Sequence, residues 1–103
     1  MESLVPSKRF TVVCDSTLQS RLIETFLELG ALGYTLIDCR GRGNSQSAVA
    51  ADMLTGRSLV KIEMIVPTEV AQRLLDYLRA EIFDKHRLMA YLEDVRLAEG
   101  DVY

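Results

Sequence analysis

Two kinds of periodicity alternate along the chain, and their order sets the expected fold. Phe10-Thr-Val-Val-Cys14 is short, apolar and β-branched, and predicts a strand. Ser16 with Gln19 three positions on fits a capping box, after which Leu18, Leu22, Phe26 and Leu29 recur at helical spacing with Ile23 beside them. Arg21, Glu24 and Glu28 fall off that stripe, and Gly30 is placed to end the helix in a left-handed conformation. Tyr34 to Cys39 predicts a second strand. From Leu59 to Val66, Val60, Ile62, Met64 and Val66 alternate with Lys61, Glu63 and Ile65, which predicts a strand with one core face and one partly polar face. Pro67 breaks that strand and Thr68 is positioned to cap a helix, whose apolar stripe is Val70, Ala71, Leu74, Leu75, Leu78 and Ile82. Asp84 to Arg87 is a polar turn, Leu88 to Leu97 a final strand, and residues 98–103 a tail.

Two β-α-β units within 103 residues predict the α+β class and a ferredoxin-like βαββαβ fold, an antiparallel sheet with both helices on one face. A single domain over 1–103 is expected. The other sheet face has no helix left to cover it, so a symmetric oligomer is the simplest remedy.

Composition narrows the classes of function. Apolar residues at 49% and charged residues at 26% fit a globular chain and exclude a disordered or collagen-like one. A net charge of −3, from 12 basic and 15 acidic residues, argues against a nucleic-acid partner. A small anionic ligand stays open, because it responds to local charge. No apolar run approaches the roughly 18 to 20 residues that cross a bilayer, so no membrane insertion is expected. The first ten residues lack a basic segment followed by an apolar stretch, and the expected location is the cytoplasm. Cys14 and Cys39 suit neither a disulfide framework nor a metal cluster, and both are expected to be reduced and half-buried in strands.

The irregular feature is the stretch from Arg40 to Ser58, small and polar, with three glycines and three arginines. Structureless loops longer than about 12 to 15 residues are uncommon unless they serve a function. At its start, Arg40-Gly41-Arg42-Gly43 has two readings. Glycine backbone can approach an anion while a guanidinium clamps it in a fork, or the segment is a plain glycine turn on a solvated loop. Lys85, His86 and Arg87 either bind an anion or complement the dipole of the preceding helix. Glu63, on the off-core face of its strand, is either solvated or lines a subunit cleft where it accepts a hydrogen bond from an amino group. Thr35 is either an ordinary strand former or a hydroxyl that reads a base. The chain has no nucleophile elbow, P-loop, HExxH or Cys-x-x-Cys, and Ser45 and Ser47 have no visible base. No catalytic residue and no metal site is therefore expected, and ligand binding ranks above enzyme activity.

Gly33-Tyr34-Thr35-Leu-Ile-Asp-Cys-Arg40-Gly41-Arg42-Gly43, followed some distance on by Val60-Lys61-Ile62-Glu63-Met64-Ile65-Val66-Pro67, resembles the PII signal-transduction family, and the order of elements agrees over nearly the whole chain. The resemblance implies a homotrimer with nucleotides in the clefts between subunits, and a T-loop, here about 40–58, that engages a target protein. It implies that Thr35 and Glu63 read the adenine amino group, that the backbone at Ile65 faces the base, and that Gly41 and Gly43 approach the phosphates. The turn Lys85 to Arg87 occupies the place of the phosphate-cradling B-loop. This chain departs from the pattern in a B-loop without glycine, in Asn44 and Ser45 where arginine and glutamine are usual, in a T-loop without tyrosine, and in Arg96 as the single arginine of its last strand. These departures look more like the PII-like proteins of inorganic-carbon handling, associated with bicarbonate transporters or carboxysomes. The missing cysteine-bearing C-terminal extension tilts the resemblance toward the carboxysome-associated group.

The expected protein is thus a cytoplasmic, trimeric, non-enzymatic sensor. ADP or AMP lies between subunits, held by Thr35, Glu63 and Ile65 at the base and by Arg40, Gly41, Arg42, Gly43 and Arg87 at the phosphates. Bicarbonate is an additional ligand, and the target is a bicarbonate transporter or carboxysome component. The alternatives are a small nucleotide hydrolase and a nucleotide-free trimeric interaction module of ferredoxin-like fold.

Overall fold

The computed structural model of the chain describes residues 4–41 and 58–98. Strand β1 (Val5–Asp15) leads through a 3-10 turn (Ser16–Leu18) into helix α1 (Gln19–Glu28) and strand β2 (Thr35–Cys39). Strand β3 (Leu59–Val66), helix α2 (Thr68–Tyr77), a π turn (Leu78–Ile82) and strand β4 (Leu88–Leu97) follow. The sheet order is β2-β3-β1-β4, every neighbouring pair antiparallel. This is the expected ferredoxin-like α+β arrangement.

Alternation along the two central strands divides the sheet into two faces. Phe10, Val12 and Cys14 of β1 and Val60, Ile62, Met64 and Val66 of β3 are buried, and they form one core with Leu22 and Phe26 of α1 and Val70, Ala71, Leu74, Leu78 and Ile82 of the α2 segment. Phe26 sits edge-on to Phe10 at 5.9 Å between ring centroids and to Tyr77 at 6.2 Å, so one ring joins the sheet to both helices. The other face carries Ile37, Met89 and Tyr91, which are 41, 56 and 37% exposed.

Strand β2 begins at Thr35 rather than Tyr34, and four further local details differ from the sequence expectations. First, β1 begins at Val5 rather than Phe10, because β4 pairs with it in register from Val5↔Leu97 to Cys14↔Leu88. Lys8–Asp94 and Arg9–Glu93 ion pairs lace this extension, Arg9 holding Glu93 with Nη2 to both carboxylate oxygens at 2.7 Å. Second, the cap of the first helical segment is Asp15 and not Ser16. The Asp15 carboxylate accepts from the Thr17 backbone N–H at 2.9 Å and from its hydroxyl at 2.8 Å, closing a 3-10 turn that precedes the α-helix. Third, Pro67 occupies the cap position of α2 with no side-chain bond, and Thr68 is already helical. Fourth, Cys14 is fully buried instead of half-buried, while Cys39 is partly exposed; both are free thiols.

The π turn has a packing cause. Leu74, Leu78 and Ile82 recur every four residues, a longer period than the 3.6 of an α-helix. A wider turn, closed by the Phe83 N–H donating to the Leu78 carbonyl at 2.8 Å, lets Ile82 stay on the buried face.

This packing makes two substitutions informative. Gly30 has φ +120°, and a Cβ there would stand 3.2 Å from Val70 Cγ2 and 3.1 Å from Arg73 Nη1, the nitrogen that donates to the Leu29 carbonyl. Gly30→Ala is expected to lower the unfolding free energy in urea by about 1–3 kcal/mol. Burial, with smaller help from the charges of Asp15 and Cys39, pushes the Cys14 thiol up to about 11. The unfolded chain therefore releases this proton first, so stability falls as pH rises from about 9 toward 11. Denaturant unfolding across that range is expected to show the loss, and Cys14→Val to reduce it.

Candidate functional site

The register of β2 against β3 sets Thr35 directly opposite Glu63, and the register of β3 against β1 sets Glu63 directly opposite Thr11. Tyr91 of β4 faces Thr11 in turn. One row, Thr35–Glu63–Thr11–Tyr91, thus crosses all four strands on the face away from the helices. Directly opposed residues have Cβ atoms about 4.5–5.5 Å apart, so Thr35 and Glu63 present a hydroxyl and a carboxylate side by side. Both are half-buried, and Ile65 follows Glu63 two residues on along the same face. Such a pair offers a strong acceptor beside a group that both donates and accepts, the complement of an amino group next to a ring nitrogen.

The electrostatics of this face centre on Arg9. The hydrogen bonds that Arg9 donates to Glu93, then the charge of that carboxylate, raise the guanidinium above its already high ordinary value, and Glu63 and Tyr91 add smaller contributions in the same direction. The Glu63 carboxylate on β3 therefore bears on Arg9 of β1.

The remaining sequence candidates lie at one end of the sheet. Cys39 pairs with Leu59 and Asp15 with Leu59, so β2 ends where β3 begins, and Arg40 and Gly41 leave the sheet there, with Gly41 exposed. Ser58 marks the return. Its hydroxyl donates to the Ser16 hydroxyl at 2.9 Å, and its carbonyl accepts from the Ser16 N–H at 3.0 Å. Arg87, exposed, precedes β4 at the same end but on the opposite edge, since Leu88 pairs with Cys14. Three interstrand spacings, about 14 Å, separate the β2 edge from the β4 edge. Arg42 and Gly43 lie outside the described residues, as does most of the expected loop over 40–58.

A single chain thus brings together Thr35, Glu63 and Ile65, and leaves Arg40 and Gly41 about 17 Å along the strand from Thr35, with Arg87 across the sheet. A cleft of about 400 Å³ lies elsewhere, at the other end of the sheet, lined by Lys8, Thr68, Asp94 and Arg96 among others, none of them a predicted site residue. Among the described residues no group of three or more His, Cys, Asp and Glu is placed to hold a metal ion. Among the same residues no helix is long and apolar enough to cross a membrane.

In the sequence, Thr11 reads as a strand former only. Its place in the row is visible once the register is known. The one signal in the sequence is a hydroxyl residue in the middle of an otherwise apolar run, Phe10-Thr-Val-Val-Cys14.

The profile of the family described as Nitrogen regulatory protein P-II matches residues 7–100. The chain belongs to the P-II family. Among solved structures, a candidate PII-like signalling protein from Thermus thermophilus is 37% identical over 92% of this chain and 91% of its own, with a TM-score of 0.77. CPII from Thiomonas intermedia bound to ADP and bicarbonate is 19% identical over 93% and 92% of the two chains, with a TM-score of 0.79. The GlnK–ATP complex of B. subtilis is more distant, 12% identical over 87% and 82%, at a TM-score of 0.58. No curated protein matches the chain in sequence.

Gly41 separates a ligand-facing role from a structural one. Its φ is not positive, and among the described residues a Cβ there meets only Leu59 Cδ1, at an ordinary 3.7 Å. Nothing among the described residues requires glycine at this position. Gly41→Ala is expected to leave the thermal unfolding midpoint unchanged within about 2–4 °C, corresponding to at most about 0.5 kcal/mol, in a melting scan.

Proposed function

We propose that this chain is a homotrimeric, non-enzymatic regulator in the cytoplasm that binds an adenine nucleotide, ADP or AMP, between subunits. Bicarbonate is a second ligand. The loop over 40–58 engages a target protein in inorganic-carbon metabolism, a bicarbonate transporter or a carboxysome component. The observation that carries the reading is the Thr35–Glu63 pair, a carboxylate and a hydroxyl in cross-strand register on the sheet face that the helices leave uncovered.

Several features support it. Proteins of the P-II family form homotrimers and bind targets, and CPII has been crystallised with ADP, AMP and bicarbonate. A neighbouring copy laid against the uncovered face would bury Ile37, Met89 and Tyr91. It would also set the loop base of one subunit beside the Thr35–Glu63 pair of another, giving a cleft that one chain alone does not close. In that cleft Glu63 accepts from the exocyclic amino group of adenine, Thr35 serves the ring edge, and Ile65 lines the base. Backbone at Gly41 and Gly43 approaches the phosphates, and Arg40, Arg42 and Arg87 supply charge-assisted donors. Bicarbonate, small and planar, suits a guanidinium fork with loop amides. Nucleotide then selects one loop arrangement from several, and the differential contact makes the switch.

The test is calorimetry with ADP, AMP and ATP, each with and without bicarbonate, beside light scattering for subunit number. ADP or AMP is expected to bind to a species of three chains, and Glu63→Gln to weaken binding about tenfold or more, the effect of losing a hydrogen bond to a charged group. Gly41→Ala is expected to weaken binding without loss of stability. No heat and no thermal shift with any nucleotide overturns the reading, and turnover of the bound nucleotide would replace it with a hydrolase.

A further inference from the structure

Thr11 places an unpartnered polar group at the centre of the open sheet face. The residue has no exposed surface, and its Oγ1 has no hydrogen-bond partner among the described residues. Leaving a buried hydroxyl unsatisfied is costly, and an apolar group of the same shape is often neutral or better. Valine has that shape and an equal preference for strands, so neither packing nor strand formation explains the hydroxyl. The residues opposite Thr11 in its row are Glu63 of β3 and Tyr91 of β4. Glu63, directly opposite in register, carries a carboxylate with about four acceptor sites, and its charge is felt on β1 at Arg9.

We infer that Thr11 is a positioning residue for Glu63: with the cleft occupied, the Thr11 hydroxyl donates to the Glu63 carboxylate and holds it against the amino group of the ligand. This rests on the adenine-nucleotide reading above. The row then has a simple logic. Glu63 stands between two hydroxyls, Thr35 on the ligand side and Thr11 behind, and the rear hydroxyl fixes which oxygen faces the base. In the bound state a carboxylate held from behind meets the base in one orientation, which sharpens its preference for a base bearing an amino group over one bearing a carbonyl at the same place.

The experiment is calorimetry of wild type, Thr11→Val, Thr11→Ser and Glu63→Gln with ADP and with inosine diphosphate, which has a carbonyl in place of the amino group. Thr11→Val is expected to bind ADP about 5–10-fold more weakly with inosine diphosphate affinity unchanged, so that the ratio of the two affinities shrinks as it does in Glu63→Gln. Thr11→Ser, which keeps the donor, is expected to restore both affinity and ratio. Without nucleotide, Thr11→Val is expected to melt at or above the wild-type temperature, and Thr11→Ala provides a second removal of the hydroxyl if valine perturbs the sheet. An unchanged ADP-to-inosine-diphosphate ratio in both hydroxyl-less variants, or an equal loss of both ligands, overturns the positioning role while leaving the nucleotide site standing. A wild-type protein that binds neither nucleotide overturns the nucleotide reading and the role of Thr11 together.

Discussion

Everything in this fold hangs on the antiparallel register between β1 and β3. Side chains alternate along a strand with a period of two, so a slip of one residue would move every core side chain to the opposite face. Held as it is, with Phe10 against Met64 and Val12 against Ile62, the pairing gives the helices a continuous apolar bed. The same register, with no further instruction, lines up Thr11 and Glu63 on the reverse side. Core and candidate site are therefore two faces of one pairing, and neither can be shifted without the other.

The flanking strands depend on that centre in different ways. β2 is short and among the described residues joins only β3, yet its five residues suffice to bring Thr35 to Glu63. β4 is long and joins only β1, where two adjacent ion pairs on opposite faces reinforce the ladder. Exposed pairs of this kind contribute little to stability individually. Their greater effect here is on register, since a one-residue shift would set Arg9 opposite Asp94 or Leu92 in place of Glu93. The edge strand also carries Glu93, Asp94 and Arg96, charges that discourage indiscriminate pairing by unrelated strands.

Much of this is readable from local sequence, and the parts that are not share a cause. Leu59–Val66 and Leu88–Leu97 emerge with the expected bounds because each is an uninterrupted strand pattern bracketed by turn residues. The start of β1 is not legible because Pro6-Ser-Lys-Arg9 has no strand character of its own; it is extended only because β4 is there to pair with it. The cap differs by one residue from the expected one because Asp15 and Ser16 are both competent, and the choice is made by the 3-10 turn that follows. For the site, residue types at Thr35 and Glu63 are legible, whereas their adjacency, the row they share with Thr11, and the distance to Arg87 are properties of strand order. Strand order is set by contacts distant in sequence, which no local pattern encodes.

The stitching of Ser58 to Ser16 bears on how the molecule can change. Cys39 and Leu59 face each other in the ladder, and the second serine link fastens the return point to the turn ahead of α1. Both feet of the intervening span are thus secured by the scaffold itself. Closing a longer span between fixed feet costs only about 0.6 kcal/mol per doubling of length. The sheet and its reverse-face row are thus anchored independently of how long a segment joins Cys39 to Ser58, so a change of length there leaves the scaffold standing.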